Sequence, residues 1–110
     1  MAHNAFTKHL PDEHVIFAEY TLNRGVMAKF CVRLEYKGEC VSRFDNAHGY
    51  PHQDILGRKP TGWLRRFRKE NLIDKVDCRS IGMNEEVFQR ALDEFSNHFA
   101  RYSQRFGYGD

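Results

Sequence analysis

The chain has 110 residues, the length of one domain and too short for two separate hydrophobic cores. Its 17 Lys and Arg residues against 15 Asp and Glu give a net charge of +2, so any nucleic-acid role needs a local basic patch. Three cysteines without CxxC spacing argue against a disulfide framework or a zinc knuckle.

The N-terminal sequence MAHNAFTKHL lacks the apolar stretch of a secretory signal. No apolar run approaches the ~20 residues that a membrane-spanning helix needs. We therefore expect a cytoplasmic protein that does not insert into membranes. Cys31 and Cys40 fall on adjacent predicted strands, where a bridge is conceivable, but reduced thiols are the expectation in that compartment.

The first half of the chain predicts an antiparallel meander. Residues 1–12 are polar and aperiodic and are expected to form a loose arm, and residues 13–22 are rich in strand-forming side chains. Residues 26–36 alternate strictly between apolar and polar side chains, which is typical of a half-buried strand. A tight turn at Lys37 and Gly38 then leads into a third strand over residues 39–45.

The register after that turn decides which side chains reach the core. A two-residue Lys37–Gly38 loop would bring Arg43 and Asp45 to the apolar face. A three-residue loop with a glycine bulge would bring Ser42 and Phe44 there instead. We favour the second register because it buries Phe44 and places both charged residues together on the opposite face.

The second half predicts helices. Residues 61–69 (TGWLRRFRK) fit a short amphipathic basic helix, whereas residues 71–82 fit neither period. Asn84 is a suitable N-cap and Gly107 a suitable stop for a long helix of ~23 residues. Its apolar stripe would comprise Phe88, Ala91, Leu92, Phe95, Phe99, Tyr102 and Phe106. The predicted fold is therefore a single α+β domain: a meander of three or more strands, the long C-terminal helix packed on one face, and the short basic helix.

The segment from Arg43 to Gly57 gathers chemically capable side chains beside glycine and proline, as functional loops do. Its candidate catalytic residues are Arg43, Asp45, His48, His52 and Asp54. In a metal-free reaction either histidine would be the general base, an aspartate would orient it, and Arg43 would stabilise a developing anion. Such chemistry suits RNA cleavage by the 2′-hydroxyl.

Two other interpretations of this segment remain open. Two imidazoles with carboxylates are suitable ligands for zinc, manganese or iron, but their spacing matches no metal motif, so neither a metal nor another cofactor is predicted. Asx side chains also bond to nearby backbone in turns, so the same residues suit a purely structural role that fixes the loop.

A basic run follows this segment, interleaved with Trp63 and Phe67. Several cations in so short a stretch could neutralise phosphates of a nucleic acid, although charge runs are more often solvated faces. The candidate nucleic-acid contacts are Arg58, Lys59, Arg65, Arg66, Arg68 and Lys69.

The strand that runs into Phe44-Asp45-Asn46-Ala47-His48, followed by Pro51-His52, resembles the TumE-like toxins of bacterial toxin–antitoxin systems. The resemblance covers about residues 26–57. It implies a toxin encoded beside an antitoxin that carries a DNA-binding helix-turn-helix, and it does not fix a reaction.

The sequence thus predicts a small bacterial toxin-like protein that acts on or binds RNA, with a metal-independent ribonuclease as the possible activity. The expected partners are RNA and a cognate antitoxin or other protein. The alternative is a non-enzymatic interaction module or inhibitor of the phage or mobile-element type. In that case function would depend on surface charge rather than on the histidines.

Overall fold

The computed structural model describes residues 2–46, 52–58, 65–71 and 83–104, and for 54–58, 65–71 and Met83 it describes the backbone alone. Within these ranges six strands form one antiparallel sheet whose spatial order follows the chain. The elements are β1 (Ala2–Leu10), β2 (His14–Asn23), β3 (Val26–Tyr36), β4 (Glu39–Asp45), β5 (His52–Arg58), β6 (Arg65–Asn71) and α1 (Met83–Ser103). The predicted α+β fold with an antiparallel meander is confirmed.

The core lies between one face of the sheet and α1, as the alternation in β3 and the stripe on the helix predict. The aromatic rings meet edge to face, with Phe95 against Phe44 at 5.1 Å and Phe88 against Phe30 at 6.1 Å between centroids. The buried apolar residues are Ile16, Ala18, Met27, Phe30, Val32, Leu34, Val41, Phe44, Val87, Phe88, Ala91, Phe95 and Tyr102. We call the other face of the sheet the outer face; its side chains include Glu19, Cys31, Arg33, Arg43 and Asp45.

The favoured register of β3 and β4 is present, but it does not come from the predicted three-residue loop. Lys37 and Gly38 both have positive φ (50° and 82°) and form a two-residue loop. The extra residue is Val41, inside the strand, where the register shifts by one. Phe44 therefore lies opposite Val32 and is buried, as predicted, while Arg43 and Asp45 share the outer face.

The expected loose N-terminal arm is wrong, because Ala2–Leu10 forms β1, paired with β2 along its whole length. Its side chains are exposed up to His9, so they give no apolar periodicity from which a strand could be predicted. Backbone pairing to β2 orders the segment instead.

The predicted short basic helix is also wrong over the described residues, because Arg65–Asn71 is strand β6 and residues 61–64 lie outside the described ranges. Likewise, His52–Arg58 is strand β5 rather than part of a loop. β6 contains only one apolar residue, Phe67, so its sequence shows no strand periodicity. A helix as short as the predicted one is also only marginally stable by itself. Pairing of β6 to β5 along seven residues supplies the backbone hydrogen bonds.

The long helix begins one residue before the predicted N-cap and runs for 21 residues. Glu85 and Glu86 lie in its first turn, where the helix dipole favours anions. The backbone leaves helical geometry at His98 (φ −134°, ψ 24°). The apolar periodicity of the helix does not predict this break. Gly107 and residues 72–82 lie outside the described ranges. No helix in the described part of the chain is long and apolar enough to cross a membrane.

Cys31 and Cys40 are free thiols, and the register excludes the conceivable bridge between them. Cys31 lies opposite Asp45, whereas Cys40 lies opposite Glu35, four residues further along β3. At ~3.4 Å per strand residue, this offset is far beyond the Cα separation of a disulfide.

A buried polar network joins β5 to the end of α1. Gln53 Nε2 donates to Ser42 Oγ at 3.2 Å and to the Tyr102 hydroxyl at 3.0 Å, and that hydroxyl donates to Glu94 Oε1 at 2.8 Å. We expect Tyr102→Phe to lower the free energy of unfolding by about 1–2 kcal/mol, since it removes one buried and one partly buried hydrogen bond without a large change in volume. Urea denaturation checks this, with Gln104→Ala, an exposed position on the same helical turn, as the control. Equal stability of the two variants would contradict the role of this network.

Candidate functional site

Arg43, Asp45 and His52 form a connected charged group on the outer face. His52 Nε2 donates to Asp45 Oδ1 at 2.9 Å, and Arg43 Nε forms an ion pair with Asp45 Oδ2 at 3.6 Å. One carboxylate therefore receives an imidazole on one oxygen and a guanidinium on the other. Three of the five predicted catalytic residues meet here.

Strand pairing brings these residues together. Arg43 and Asp45 are two residues apart on β4, so their side chains project from the same face. His52 is the first residue of β5 and the direct partner of Asp45 in the antiparallel register, which places the two side chains side by side. Asp54 is the corresponding backbone partner of Arg43.

The three side chains differ in exposure: His52 and Asp45 are largely buried, whereas Arg43 is accessible to solvent. The side chain of His52 is 2% exposed, that of Asp45 12%, and that of Arg43 49%. A buried carboxylate needs charged or hydrogen-bonding neighbours, which His52 and Arg43 supply. The arrangement therefore places a half-exposed guanidinium at the surface beside a carboxylate that is itself held by a buried imidazole.

Asn46, next to the charged group, has a structural role. Its Oδ1 accepts from the Phe30 amide at 3.1 Å, and its Nδ2 donates to Ala28 O at 3.1 Å and to Asn84 Oδ1 at 3.2 Å. Asn84 Nδ2 in turn donates to Met27 O at 2.9 Å. The two asparagines thus connect the end of β4, the start of β3 and the first turn of α1.

Cys31 lies beside Asp45 on β3 and is not a nucleophile at neutral pH. Burial, followed by the negative charges of Asp45 and Glu19, raises the pKa of its thiol from 9.0 to about 11. The thiolate is the reactive form, so the thiol is protected across the physiological range.

We expect the iodoacetamide reaction of Cys31 in a Cys40→Ser, Cys78→Ser variant to follow this pKa. The folded protein should react slowly at pH 8, and its rate should rise with pH towards about 11, whereas the urea-unfolded chain should already titrate near 9. Because the pKa is raised on folding, the contribution to stability is present below pH 9 and is lost as pH rises through 11. Asp45→Asn should lower the pKa of Cys31. An unchanged profile would show that the carboxylate does not influence it.

Two cavities open on the sheet and share Glu19 and Cys31 as lining residues. The one next to Asp45 and Asn46 has a volume of about 480 Å³, and the one next to Phe17 and Arg33 has about 380 Å³. Both volumes fall in the range of small-ligand sites.

Arg33 is a site residue that the sequence analysis did not identify. It lies opposite Arg43 across β3 and β4, its side chain is 45% exposed, and its guanidinium carbon sits 4.7 Å from the centre of the Phe17 ring. The alternation of β3 places Arg33 on the polar face. The register with Arg43 then identifies it, and that register depends on the bulge at Val41.

The remaining predicted residues are not brought into the group by the described geometry. His48 and Lys59 lie outside the described residues. The other predicted basic contacts lie on the last two strands, with Arg58 on β5 and with Arg65, Arg66, Arg68 and Lys69 on β6. Among the side chains that the structure describes, no three His, Cys, Asp or Glu residues are arranged to hold a metal ion.

The chain is thus an α+β domain in which a helix covers one face of a six-stranded meander and the opposite face carries the charged group. It belongs to the family described as "Domain of unknown function (DUF7718)", whose model matches residues 1–110. Neither a curated protein nor a solved structure matches the chain significantly.

Proposed function

We propose that the protein is a small, cytoplasmic, toxin-like protein that binds RNA through the outer face of its sheet. The observation that supports this most strongly is the half-exposed guanidinium of Arg43, which forms an ion pair with Asp45, itself bound by the buried His52. A guanidinium carries several N–H donors in a planar fork that matches phosphate oxygens, and the ion pair biases its position at the surface.

The same geometry favours binding over general-base catalysis by His52. A general base must come within hydrogen-bond reach of the proton that it removes. The His52 side chain is 2% exposed, and its Nε2 is used by Asp45. We therefore assign His52 and Asp45 as positioning residues and Arg43 as the residue that contacts the phosphate.

The strands beyond β4 extend the basic character of the sheet. β5 pairs directly with β4, and β6 (RRFRKEN) pairs with β5 in a register that aligns Lys69 with Asp54, the partner of Arg43. Because strand positions alternate between the two faces, Arg65 and Lys69 occupy outer-face positions, whereas Arg66 and Arg68 occupy positions on the other face. Phosphate neutralisation by several cations is the largest sequence-independent term in RNA binding. The toxin-like role and the cognate antitoxin rest on the resemblance of residues 44–48 and 51–52 alone.

Fluorescence anisotropy with a labelled single-stranded RNA tests the binding. Arg43→Gln should weaken binding about tenfold, the equivalent of one charged hydrogen-bonded contact. Arg90→Gln, which removes the same charge from the exposed side of α1, should weaken it much less. Equal loss in both variants would mean that the protein attracts RNA by net charge alone, which contradicts a site at Arg43.

Incubation of the same RNA with and without EDTA tests for cleavage. RNA bound but left intact is the expected outcome. Cleavage by the wild type that is lost in His52→Gln would contradict the positioning role and make His52 catalytic. Cleavage that stops with EDTA would instead point to a metal site that includes residues outside the described ranges.

A second candidate, a non-enzymatic protein-interaction module, is favoured by β1. This nine-residue strand lies at one end of the strand order, its side chains are exposed up to His9, and Phe6 is 42% exposed. Edge strands are templates for pairing with a strand of a partner. Thr7→Pro would remove a backbone donor from β1. Loss of partner capture in this variant, with RNA binding unchanged, would support the module.

A further inference from the structure

We propose that the cavity beside Phe17 and Arg33 is a base-binding site that takes a guanine of single-stranded RNA. The inference rests on the proposed function and deepens it, since it adds recognition of a base to the phosphate contact at Arg43. The cavity has a volume of about 380 Å³ and is lined by residues of β1, β2 and β3.

The strand register explains why a depression forms on the outer face here. Two neighbouring rows of outer-face residues cross the three strands and line the cavity, Ala5–Glu19–Cys31 and Thr7–Phe17–Arg33. The small side chains of Ala5, Thr7 and Cys31 leave space, which the larger side chains of the same rows border. The resulting volume accommodates a purine base and lies in the range of small-ligand sites.

Phe17 and Arg33 give the cavity a flat border. They are direct cross-strand partners, and the guanidinium carbon of Arg33 lies 4.7 Å from the centre of the Phe17 ring. This cation–π contact and the 2.6 Å hydrogen bond from Arg33 Nε to Glu35 Oε2 both restrain the guanidinium. Nucleobases stack on aromatic rings and on guanidinium planes, so the pair is a suitable stacking surface for a base.

Glu19 supplies the polar group that distinguishes one base from another. Its side chain is 54% exposed and lines the same cavity. An ionised carboxylate only accepts hydrogen bonds, so it favours a base edge that presents N–H donors. Guanine presents two neighbouring donors, N1–H and N2–H, on its Watson–Crick edge, and these match the two carboxylate oxygens. Adenine, cytosine and uracil each present a single donor group on that edge.

The contact between His3 and Glu19 is a weak competitor for this carboxylate. His3 Nε2 lies 3.5 Å from Glu19 Oε2, and both side chains are more than half exposed. Exposed ion pairs contribute little to stability, so a base that displaces His3 loses little by doing so.

The phosphate contact proposed at Arg43 lies on the same face of the sheet. Arg43 is the cross-strand partner of Arg33, one strand beyond the cavity. Neighbouring strands are about 4.8 Å apart, which places Arg43 about 10 Å from the strand of Phe17. One RNA strand that crosses the sheet therefore reaches both places, with a base in the cavity and a phosphate at Arg43.

NMR titration with guanosine 5′-monophosphate tests the cavity without RNA. The backbone amide resonances of Thr7, Phe17 and Glu19 should shift, with a dissociation constant about tenfold lower than that of uridine 5′-monophosphate, since purine stacking and two carboxylate bonds both favour guanine. Resonances that stay in place, or that respond equally to the two nucleotides, would overturn the inference.

A substitution that fills the cavity tests its role without changing any charge. Ala5→Leu should weaken the binding of guanosine monophosphate at least about tenfold, because its side chain occupies the space of the base. Ala2→Leu is the matched control, since it adds the same atoms to an exposed residue of β1 outside the cavity. Both positions are exposed, so both variants should unfold at the urea concentration of the wild type. Equal affinity of the two variants for the nucleotide would contradict the site.

Two further variants separate stacking from recognition of the base edge. Phe17→Leu keeps an apolar side chain without the aromatic face and should weaken the binding of both nucleotides about tenfold. Glu19→Gln should still bind both nucleotides but lose the preference for guanine, because the amide offers one acceptor oxygen in place of two. A preference that survives in Glu19→Gln would contradict the assigned role of the carboxylate.

Fluorescence anisotropy with two short oligouridines, one of which carries a central guanosine, connects the cavity to RNA. The wild type should bind the guanosine-containing oligomer about tenfold more tightly, and Glu19→Gln should bind the two equally. Equal binding of both oligomers by the wild type, with weaker binding in Arg43→Gln, would overturn the base site and leave the proposed function in place. If guanosine monophosphate occupies the cavity but neither oligomer binds, the guanine site stands and the proposed function is wrong.

Discussion

Replacing Phe95 with alanine is expected to lower the free energy of unfolding by about 4 kcal/mol, the middle of the range for a buried Phe→Ala change. Phe95 is fully buried and packs edge to face against Phe44 at 5.1 Å and against Tyr102 at 5.3 Å. The substitution removes both contacts and leaves a cavity between α1 and β4. Urea denaturation followed by far-UV circular dichroism measures the loss.

Phe6→Ala is the matched control, because it removes the same atoms from a side chain that is 42% exposed. Phe6 still touches Phe88 at 6.2 Å, so a loss of about 1 kcal/mol is expected there. Equal losses of unfolding free energy in the two variants would contradict the packing of α1 on the sheet, because they would show that the helix contributes little to the core.

The parts of the fold that the sequence predicted are those whose burial has a period. β3 alternates because one of its faces meets α1, and the stripe of α1 repeats at helical spacing because it meets β3 and β4. Each pattern records contact with the core directly. A single sequence is therefore enough to assign these elements.

β1, β5 and β6 could not be predicted in this way, since these segments become strands through backbone pairing with a neighbouring strand rather than through burial of a periodic apolar face. β1 has exposed side chains up to His9, and β6 has one apolar residue, Phe67, among four cations. Backbone hydrogen bonds are nearly independent of side-chain identity, so such strands leave little trace in hydrophobic periodicity.

The site was predicted as a set of residues but not as a geometry. Asp45 and His52 are seven positions apart, and their contact depends on the pairing of β4 with β5. Arg33 is ten positions from Arg43, and their opposition depends on the bulge at Val41. Distances in sequence carry no information about such contacts until the strand register is known.

Replacing Asp45 with alanine is expected to lower the free energy of unfolding by about 2–3 kcal/mol, the scale for leaving a buried hydrogen-bonding group without its partner. The buried His52 loses the acceptor 2.9 Å from its Nε2, and Arg43 loses its ion pair at the same time. Asp45→Asn, which keeps the shape and one oxygen, should lose about half as much, since the hydrogen bond becomes a neutral one. Chemical denaturation of the three proteins at pH 7 measures both losses.

A double-mutant cycle with His52→Gln assigns the loss to the contact itself. If the 2.9 Å bond carries the effect, the two single variants should together lose more unfolding free energy than the Asp45→Ala, His52→Gln double variant. The difference should be about 1–3 kcal/mol, the coupling expected for residues in contact. Simple additivity would show that each side chain acts through other neighbours.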